Sequence, residues 1–114
     1  MKCTEFVLQT VLSVTYKRLQ KIFGNHLEKV LLYGSYARGD YDSESDIDIM
    51  VLVNMTKEEL CTYRREISDL SSDIDLEYNV FLSITLQDTE TFEHYKTTLS
   101  FYKNVLIDGI SIIP

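Results

Sequence analysis

Two short apolar runs separated by a polar loop constrain the fold of this chain more than any other feature. The first run, Lys29–Tyr33, predicts a buried strand that ends at Gly34, where the absence of a Cβ permits a tight turn. The second run, Asp46–Val53, predicts another strand. Because side chains alternate along a strand, Asp46 and Asp48 would point the same way, about 6–7 Å apart. We therefore expect two carboxylates on one face of a sheet.

This pair of carboxylates indicates a cation site. Carboxylates on one face repel each other and aspartate is depleted in strands, whereas a divalent cation between the two groups removes the repulsion. The Gly34-Ser35 turn would bring backbone N–H groups and the Ser35 hydroxyl against phosphate oxygens, and Arg38 would pair with a terminal phosphate. Together these features predict metal-assisted transfer of a nucleotidyl group from a nucleoside triphosphate.

Each half of this motif has a simpler interpretation when it is taken alone. A Gly-Ser pair is most often a plain turn, and two aspartates spaced as Asp46 and Asp48 are as common on a solvated strand edge as in a metal site. The combination, with ten residues between Ser35 and Asp46, is far more specific. At average residue usage it would occur by chance in roughly one chain per thousand of this length.

Composition narrows the class of protein further. The 114 residues fit a single domain, 1–114, and 45% apolar with 25% charged residues is ordinary for a globular protein. The net charge of −7 argues against broad nucleic-acid binding, which depends on Lys and Arg. No apolar run is long enough to predict a secretory segment or a membrane span. Cys3 and Cys61 lack metal-ligand spacing, so we expect a reducing cytoplasm.

Hydrophobic periodicity predicts the remaining elements. We expect helices at about 4–23, 56–76, 91–95 and 99–107, and a third strand at 79–85. Thr56 with Glu59 three residues later is typical of a helix start, and Gly24 of a helix end. The predicted fold class is α+β, with a small mixed β-sheet packed against helices.

The segments Leu32–Asp40 and Ser45–Val51 resemble the signature of the minimal nucleotidyltransferase family, the smallest members of the DNA polymerase beta-like nucleotidyltransferase superfamily. The resemblance implies an α+β core, ATP or another nucleoside triphosphate as substrate, and two Mg²⁺ ions. Asp46 and Asp48 match the family's first two metal carboxylates, and the Gly34-Ser35 turn matches its triphosphate-binding turn.

The resemblance also implies a partner. Members of this size often act with a separately encoded helical HEPN protein, and in such pairs the transferase is an antitoxin that attaches AMP to a HEPN toxin, a ribonuclease. Transfer to a small molecule such as an aminoglycoside is a weaker alternative, because it would need a dimer or a companion chain to complete the pocket. A homo-oligomer is therefore a further possibility.

One departure from the family pattern concerns the third carboxylate, which lies on the strand after the second long helix and is best placed to activate the attacking hydroxyl. Matching the chain to the family pattern puts Asn79 there, and an amide cannot accept that proton. Asp75 or Glu77 would substitute if the strand began earlier or its register differed, although we expect Asp75 to be helical. Two functions follow: an active transferase, or a nucleotidyltransferase fold that works by holding a partner.

Aromatic residues near the motif carry two interpretations. Tyr36 and Tyr41 lie in the predicted active loop, where they would belong to the core or stack on a base. The aromatic residues of the last third of the chain are most simply core, and a partner surface is the second interpretation; they are Phe92, Tyr95, Phe101 and Tyr102.

Overall fold

The computed structural model describes residues 5–42 and 44–112, so Cys3 lies outside the described residues. In chain order the elements are α1 (Glu5–Phe23), β1 (Leu27–Tyr33), α2 (Ser35–Arg38), β2 (Ile47–Val53), α3 (Lys57–Cys61), α4 (Arg64–Tyr78), β3 (Leu82–Asp88), α5 (Thr89–Tyr95), α6 (Ser100–Asp108) and β4 (Ile110–Ser111). The predicted α+β class is confirmed. Within these residues, none of the helices is both long and apolar enough to cross a membrane.

A single mixed sheet organises the domain, with strand order β3-β2-β1-β4. The β1 strand pairs antiparallel with β2 and with β4, whereas β2 and β3 run parallel. The antiparallel register sets Tyr33 opposite Asp48, and the parallel register sets Ser83 opposite Asp48 from the other side. The first strand, the second strand and the start of the third therefore meet at the two predicted carboxylates.

Alternating side chains give the sheet two buried faces. On one face, strand residues such as Val30, Ile49 and Val51 form the main core with apolar residues of α1 and α4. On the other face, a smaller cluster joins Met50 and its neighbours to α5 and α6 through Phe92 and Val105. Two layers of helices thus enclose the sheet, and the carboxylate pair lies at the end of its central strands.

The structure corrects two of the predicted elements and adds one that was not predicted. The predicted strand 79–85 is wrong in its bounds, because α4 continues through Tyr78 and Asn79 ends it in the left-handed conformation (φ 55°, ψ 52°). The predicted helix 56–76 is two helices, although the Thr56–Glu59 capping box is confirmed. The C-terminal tail forms a fourth strand that the sequence pattern did not predict. Asp75 is helical, as expected.

Asp88 ends β3 and begins α5, and its carboxylate stabilises the start of that helix. Its Oδ2 accepts from the Thr91 N–H at 2.9 Å and its Oδ1 from the Gln87 amide at 3.0 Å. Burial raises the pKa of Asp88, but the hydrogen bonds from Thr91 and the charge of Lys57 outweigh it, so that the net pKa is lowered. We expect Asp88→Ala to lower the free energy of unfolding by about 1 kcal/mol at neutral pH, measured by urea denaturation.

The pH dependence of that difference tests the assignment. Because the folded-state pKa of Asp88 is lowered, its contribution is complete above the unfolded value of about 4 and is lost as the pH falls through the folded value. The two unfolding curves should therefore converge below about pH 4. Asp69→Ala, at an exposed position in the middle of α4, serves as the control. A difference for Asp88→Ala that is constant down to pH 2 would contradict this account.

Candidate active site

The Gly34 turn and the Asp48 carboxylate lie directly against each other. Gly34 has φ 74° and ψ −154°, a conformation that only glycine adopts readily. A Cβ placed on Gly34 would lie 2.5 Å from Asp48 Oδ2 and 3.4 Å from Asp48 Cγ. The carboxylate therefore occupies the space that a side chain would fill. A phosphate held by the turn would be adjacent to this carboxylate, as the sequence motif predicts.

Electrostatics at the carboxylate pair favour a cation. Partial burial raises the pKa of Asp48, the negative charge of Asp46 raises it further, and Arg38 lowers it by a smaller amount. Asp46 is exposed and Asp48 half-buried. The two carboxylates therefore repel each other, and a cation bound between them would relieve that repulsion.

Arg38 is held beside this pair by two acidic partners. Its Nε donates to Asp40 Oδ2 at 3.2 Å, and its Nη1 lies 3.8 Å from Asp108 Oδ2 at the end of α6. Arg38 lies close enough to Asp48 to lower the pKa of that carboxyl. The structure thus brings together four of the predicted site residues, Gly34, Arg38, Asp46 and Asp48, with Ser35 immediately after the turn at the start of α2.

Asn79 does not join them on the sheet, because it ends α4 three residues before β3 begins. The strand residue paired with Asp48 is Ser83, a half-buried position that carries a hydroxyl instead of a carboxylate. Glu77 lies in α4, not on a strand. In the described parts of the chain, no group of three or more His, Cys, Asp or Glu residues is arranged to hold a metal ion. Among the described residues, the candidate site therefore presents the two carboxylates of Asp46 and Asp48.

The loop between α2 and β2 is organised by its own side chains. Asp42 Oδ1 accepts from the Glu44 N–H at 2.8 Å, and Ser45 Oγ accepts from the Asp42 N–H at 2.9 Å. The rings of Tyr36 and Tyr41 stack with centroids 4.2 Å apart, and Tyr36 is buried in the main core. Tyr36 is therefore a core residue in this structure.

Sequence reasoning missed three residues of the site: Ser83, Asp108 and Thr85. Thr85 lies 3.4 Å from the Tyr33 hydroxyl, in a strand parallel to the one that carries Asp48. Burial is the main reason that the pKa of Tyr33 is raised, and the hydrogen bond with Thr85 opposes the shift while the charge of Asp48 adds to it. None of the three stands near the motif in the sequence. The pairing register of β3 places Ser83 and Thr85 beside the motif, and the packing of α6 places Asp108 there.

The mixed sheet places an aspartate pair beside a glycine turn, as the resemblance in the sequence implies. Comparison with known proteins identifies the family. The profile of the family described as "Polymerase beta, Nucleotidyltransferase" matches residues 17–113. The chain belongs to this nucleotidyltransferase family, and the resemblance seen in the sequence is confirmed.

Two curated relatives come from Methanocaldococcus jannaschii. "Putative protein adenylyltransferase MJ0604" is 34% identical over 91 residues, which cover 80% of this chain and 83% of that protein. "Putative protein adenylyltransferase MJ0141" is 39% identical over 69 residues, which cover 59% of this chain and 66% of that protein. Both similarities support membership of the same family.

Solved structures share the fold at lower identity. A crystal structure of a mutant of the toxin–antitoxin MntA-HpeT is similar with a TM-score of 0.55 and 18% identity, over 88% of this chain and 71% of that one. A crystal structure of a toxin–antitoxin with AMP-PNP is similar with a TM-score of 0.55 and 19% identity, over the same shares of the two chains. These likenesses support the α+β nucleotidyltransferase fold.

Proposed function

We propose that this protein transfers AMP from ATP to a hydroxyl group of a partner protein, with Mg²⁺ bound at Asp46 and Asp48. The closeness of the Gly34 turn to the Asp48 carboxylate carries this proposal, because a triphosphate bound at the turn would then be adjacent to a cation bound at Asp48. The names of the curated relatives, which describe protein adenylyltransferases, support AMP as the group and a protein as the acceptor.

The donor set fits a hard cation in part. Asp46 and Asp48 provide carboxylate oxygens whose charges repel in the folded protein, and the third neighbour, Ser83, provides a neutral hydroxyl oxygen. Bound at Asp46 and Asp48, Mg²⁺ would neutralise charge on the phosphate oxygens. Two carboxylates suffice for an ion that keeps several waters, whereas the two-ion site implied by the resemblance would need additional ligands from the nucleotide or the partner.

The protein groups then have separate roles in the reaction. Ser35 and the backbone of the Gly34 turn hold the triphosphate, and Arg38, which lies 3.8 Å from Asp108, pairs with one of its phosphates. The acceptor oxygen attacks the α-phosphorus in line, the bond from that phosphorus to the bridging oxygen breaks, and pyrophosphate leaves. The acceptor proton goes to solvent, because Ser83 is not a base at neutral pH.

Exposed apolar residues beside the site support a protein as the acceptor. On α6, Phe101 is 47% and Ile107 67% exposed, and the Phe101 ring packs edge-on against Tyr33 at 5.8 Å. Asp108, the last residue of α6, pairs with Arg38. We propose that these exposed apolar side chains of α6, next to the ion pair of Asp108 and Arg38, contact the acceptor protein. A HEPN toxin, as in the resemblance, is the partner we propose, with the chain acting as its antitoxin in the cytoplasm.

Intact mass spectrometry of the neighbouring gene's product tests this function. After incubation with the chain, ATP and Mg²⁺, we expect that product to gain one or more AMP units, and to gain none with Asp46→Asn. Persistence of the gain in Asp46→Asn would contradict the site. A stable complex without any gain would support the alternative, a nucleotidyltransferase fold that neutralises its partner by binding, for which the absence of a carboxylate at Ser83 is the favouring observation.

The position of the missing carboxylate gives a sharper prediction. Ser83→Asp adds a carboxylate on the strand beside Asp48, so we expect at least a tenfold increase in the rate of AMP transfer, within the range of general-base catalysis. Asn79→Asp adds the same charge at the end of α4, off the strand, and should leave the rate unchanged. Single-turnover assays of both variants at saturating ATP measure the difference. An increase in Asn79→Asp alone would contradict this assignment.

A further inference from the structure

The outer edge of β3 offers hydrogen-bonding groups to a further strand. Ile47 N donates to Phe81 O at 2.7 Å, so the backbone groups of Phe81 and the alternate residues after it face β2. Those of Leu82, Ile84 and Leu86 consequently face away from the sheet. Among residues 5–42 and 44–112, β3 pairs with no strand other than β2 and lies at the edge of the sheet.

Side chains of α4 close this edge at one end only. The Leu82 N–H donates to Asp75 Oδ1 at 2.7 Å, and the Ser71 hydroxyl donates to Leu82 O at 2.6 Å. Both outward groups of Leu82 are thereby satisfied. Further along, Ile84 and Leu86 line an open groove of about 750 Å³, where no described strand pairs with them. An open strand edge of this kind is where extended peptides add to a sheet.

The groove has apolar walls and a positive rim. Leu60 and Ile67 line it on the side of α3 and α4, and Tyr102 on the side of α6, so that an added strand would lie between the two helical layers. Its exposed charged residues are Lys57 and Arg64. In the part of the chain that the structure describes, no carboxylate forms an ion pair with either one.

The positive charge of the groove favours an acidic segment over a second copy of this chain as its occupant. Asp88, the acidic residue that also lines it, is buried and engaged with Thr91. Asp88 feels the charge of Lys57, but two cations and one carboxylate still leave the groove with a net positive charge on a chain of net charge −7. A second copy paired along the same edge would bring a second set of these cations, Lys57 and Arg64, to the same groove, whereas an acidic segment would neutralise them.

We propose that an extended, acidic segment of a partner protein binds this groove as an additional strand, paired with Ile84 and Leu86. The groove shares Thr85 with the candidate active site but includes neither the phosphate turn nor the two carboxylates, and binding there requires neither ATP nor Mg²⁺. Failure of this proposal would leave the proposed AMP transfer standing, and failure of AMP transfer would leave peptide binding at the groove standing.

Amide hydrogen exchange tests the pairing residue by residue. The probes are seven-residue peptides with Val, Ile or Tyr at alternate positions and Glu or Asp between them, added to the full chain without nucleotide. We expect exchange at the Ile84 and Leu86 amides to slow at least about tenfold, while the amides of Ser83 and Thr85, already bonded within the sheet, stay unchanged. Peptides with Lys in place of the acidic residues should give no protection.

Charge-reversal variants and N-methylated peptides test the electrostatic and the backbone contacts separately. Charge reversal of the rim, Lys57→Glu with Arg64→Glu, should weaken binding of the acidic peptides at least tenfold, whereas Lys17→Glu with Lys21→Glu on the exposed side of α1 should not. N-methylated peptides, which lose the backbone donors, should not bind. Absence of protection by every acidic peptide at millimolar concentration would overturn the proposal. Protection that appears without peptide and rises with protein concentration would also overturn it, in favour of a second copy.

Discussion

Asp48→Asn is expected to reduce AMP transfer about a thousandfold, because the metal ion that we propose Asp48 binds would supply several kcal/mol of charge stabilisation in the transition state. The same substitution should not lower the stability of the folded protein. The pKa of Asp48 is raised in the folded protein, mainly by burial and then by Asp46, so the charged carboxylate lowers stability at neutral pH. The neutral amide removes that cost. We therefore expect an unchanged or higher Tm in the absence of metal and nucleotide, measured by calorimetry.

Metal addition separates the two effects without any assay of activity. Mg²⁺ alone should raise the Tm of the unmodified chain and not that of Asp48→Asn, because an ion that binds only the folded state stabilises it by mass action. Asp73→Asn, at an exposed position on α4, is the matched control and should respond to Mg²⁺ like the unmodified chain. Equal Mg²⁺ responses in the Asp48 and Asp73 variants would contradict the assignment of the cation site.

Local chemistry made half of the site predictable. A glycine between an apolar run and a polar loop predicts a turn, and strand alternation predicts that Asp46 and Asp48 lie near each other. In the structure β2 begins at Ile47, one residue after Asp46, and the charge of Asp46 still acts on Asp48. The structure adds that Asp48 fills the space above Gly34. Gly34 and Asp48 are far enough apart in sequence that local patterns do not predict this packing.

The remaining residues of the candidate site are placed by the pairing of strands and helices that are distant in sequence, and local hydrophobic patterns do not encode that pairing. Residues 79–85 have the composition of a strand, but α4 extends to Tyr78, and Asn79 takes a left-handed conformation that delays the strand until Leu82. This shift makes Ser83 the neighbour of Asp48. The pairing of Arg38 with Asp108 likewise requires α6 to return beside β1. No periodicity in the sequence reports either arrangement.

Gly34→Ala is expected to damage both folding and catalysis. At φ 74° an alanine is strained, and its Cβ would lie 2.5 Å from Asp48 Oδ2, so that either the turn or the carboxylate must move. We expect a loss of about 1–3 kcal/mol in the free energy of unfolding. Displacement of the carboxylate by even 1 Å should reduce AMP transfer about a hundredfold. Urea denaturation and single-turnover kinetics measure the two effects.

Gly39→Ala isolates the contribution of the Asp48 contact. Gly39 ends α2 with φ 85°, so an alanine there meets the same kind of backbone strain, about 1 kcal/mol, but its Cβ has no atom within 4 Å. We expect Gly39→Ala to lose stability and to keep its rate of transfer and its Mg²⁺ response, whereas Gly34→Ala loses all three. Because the two substitutions differ in what the new methyl group touches, equal catalytic losses would mean that backbone conformation of the loop, and not the position of Asp48, limits the reaction.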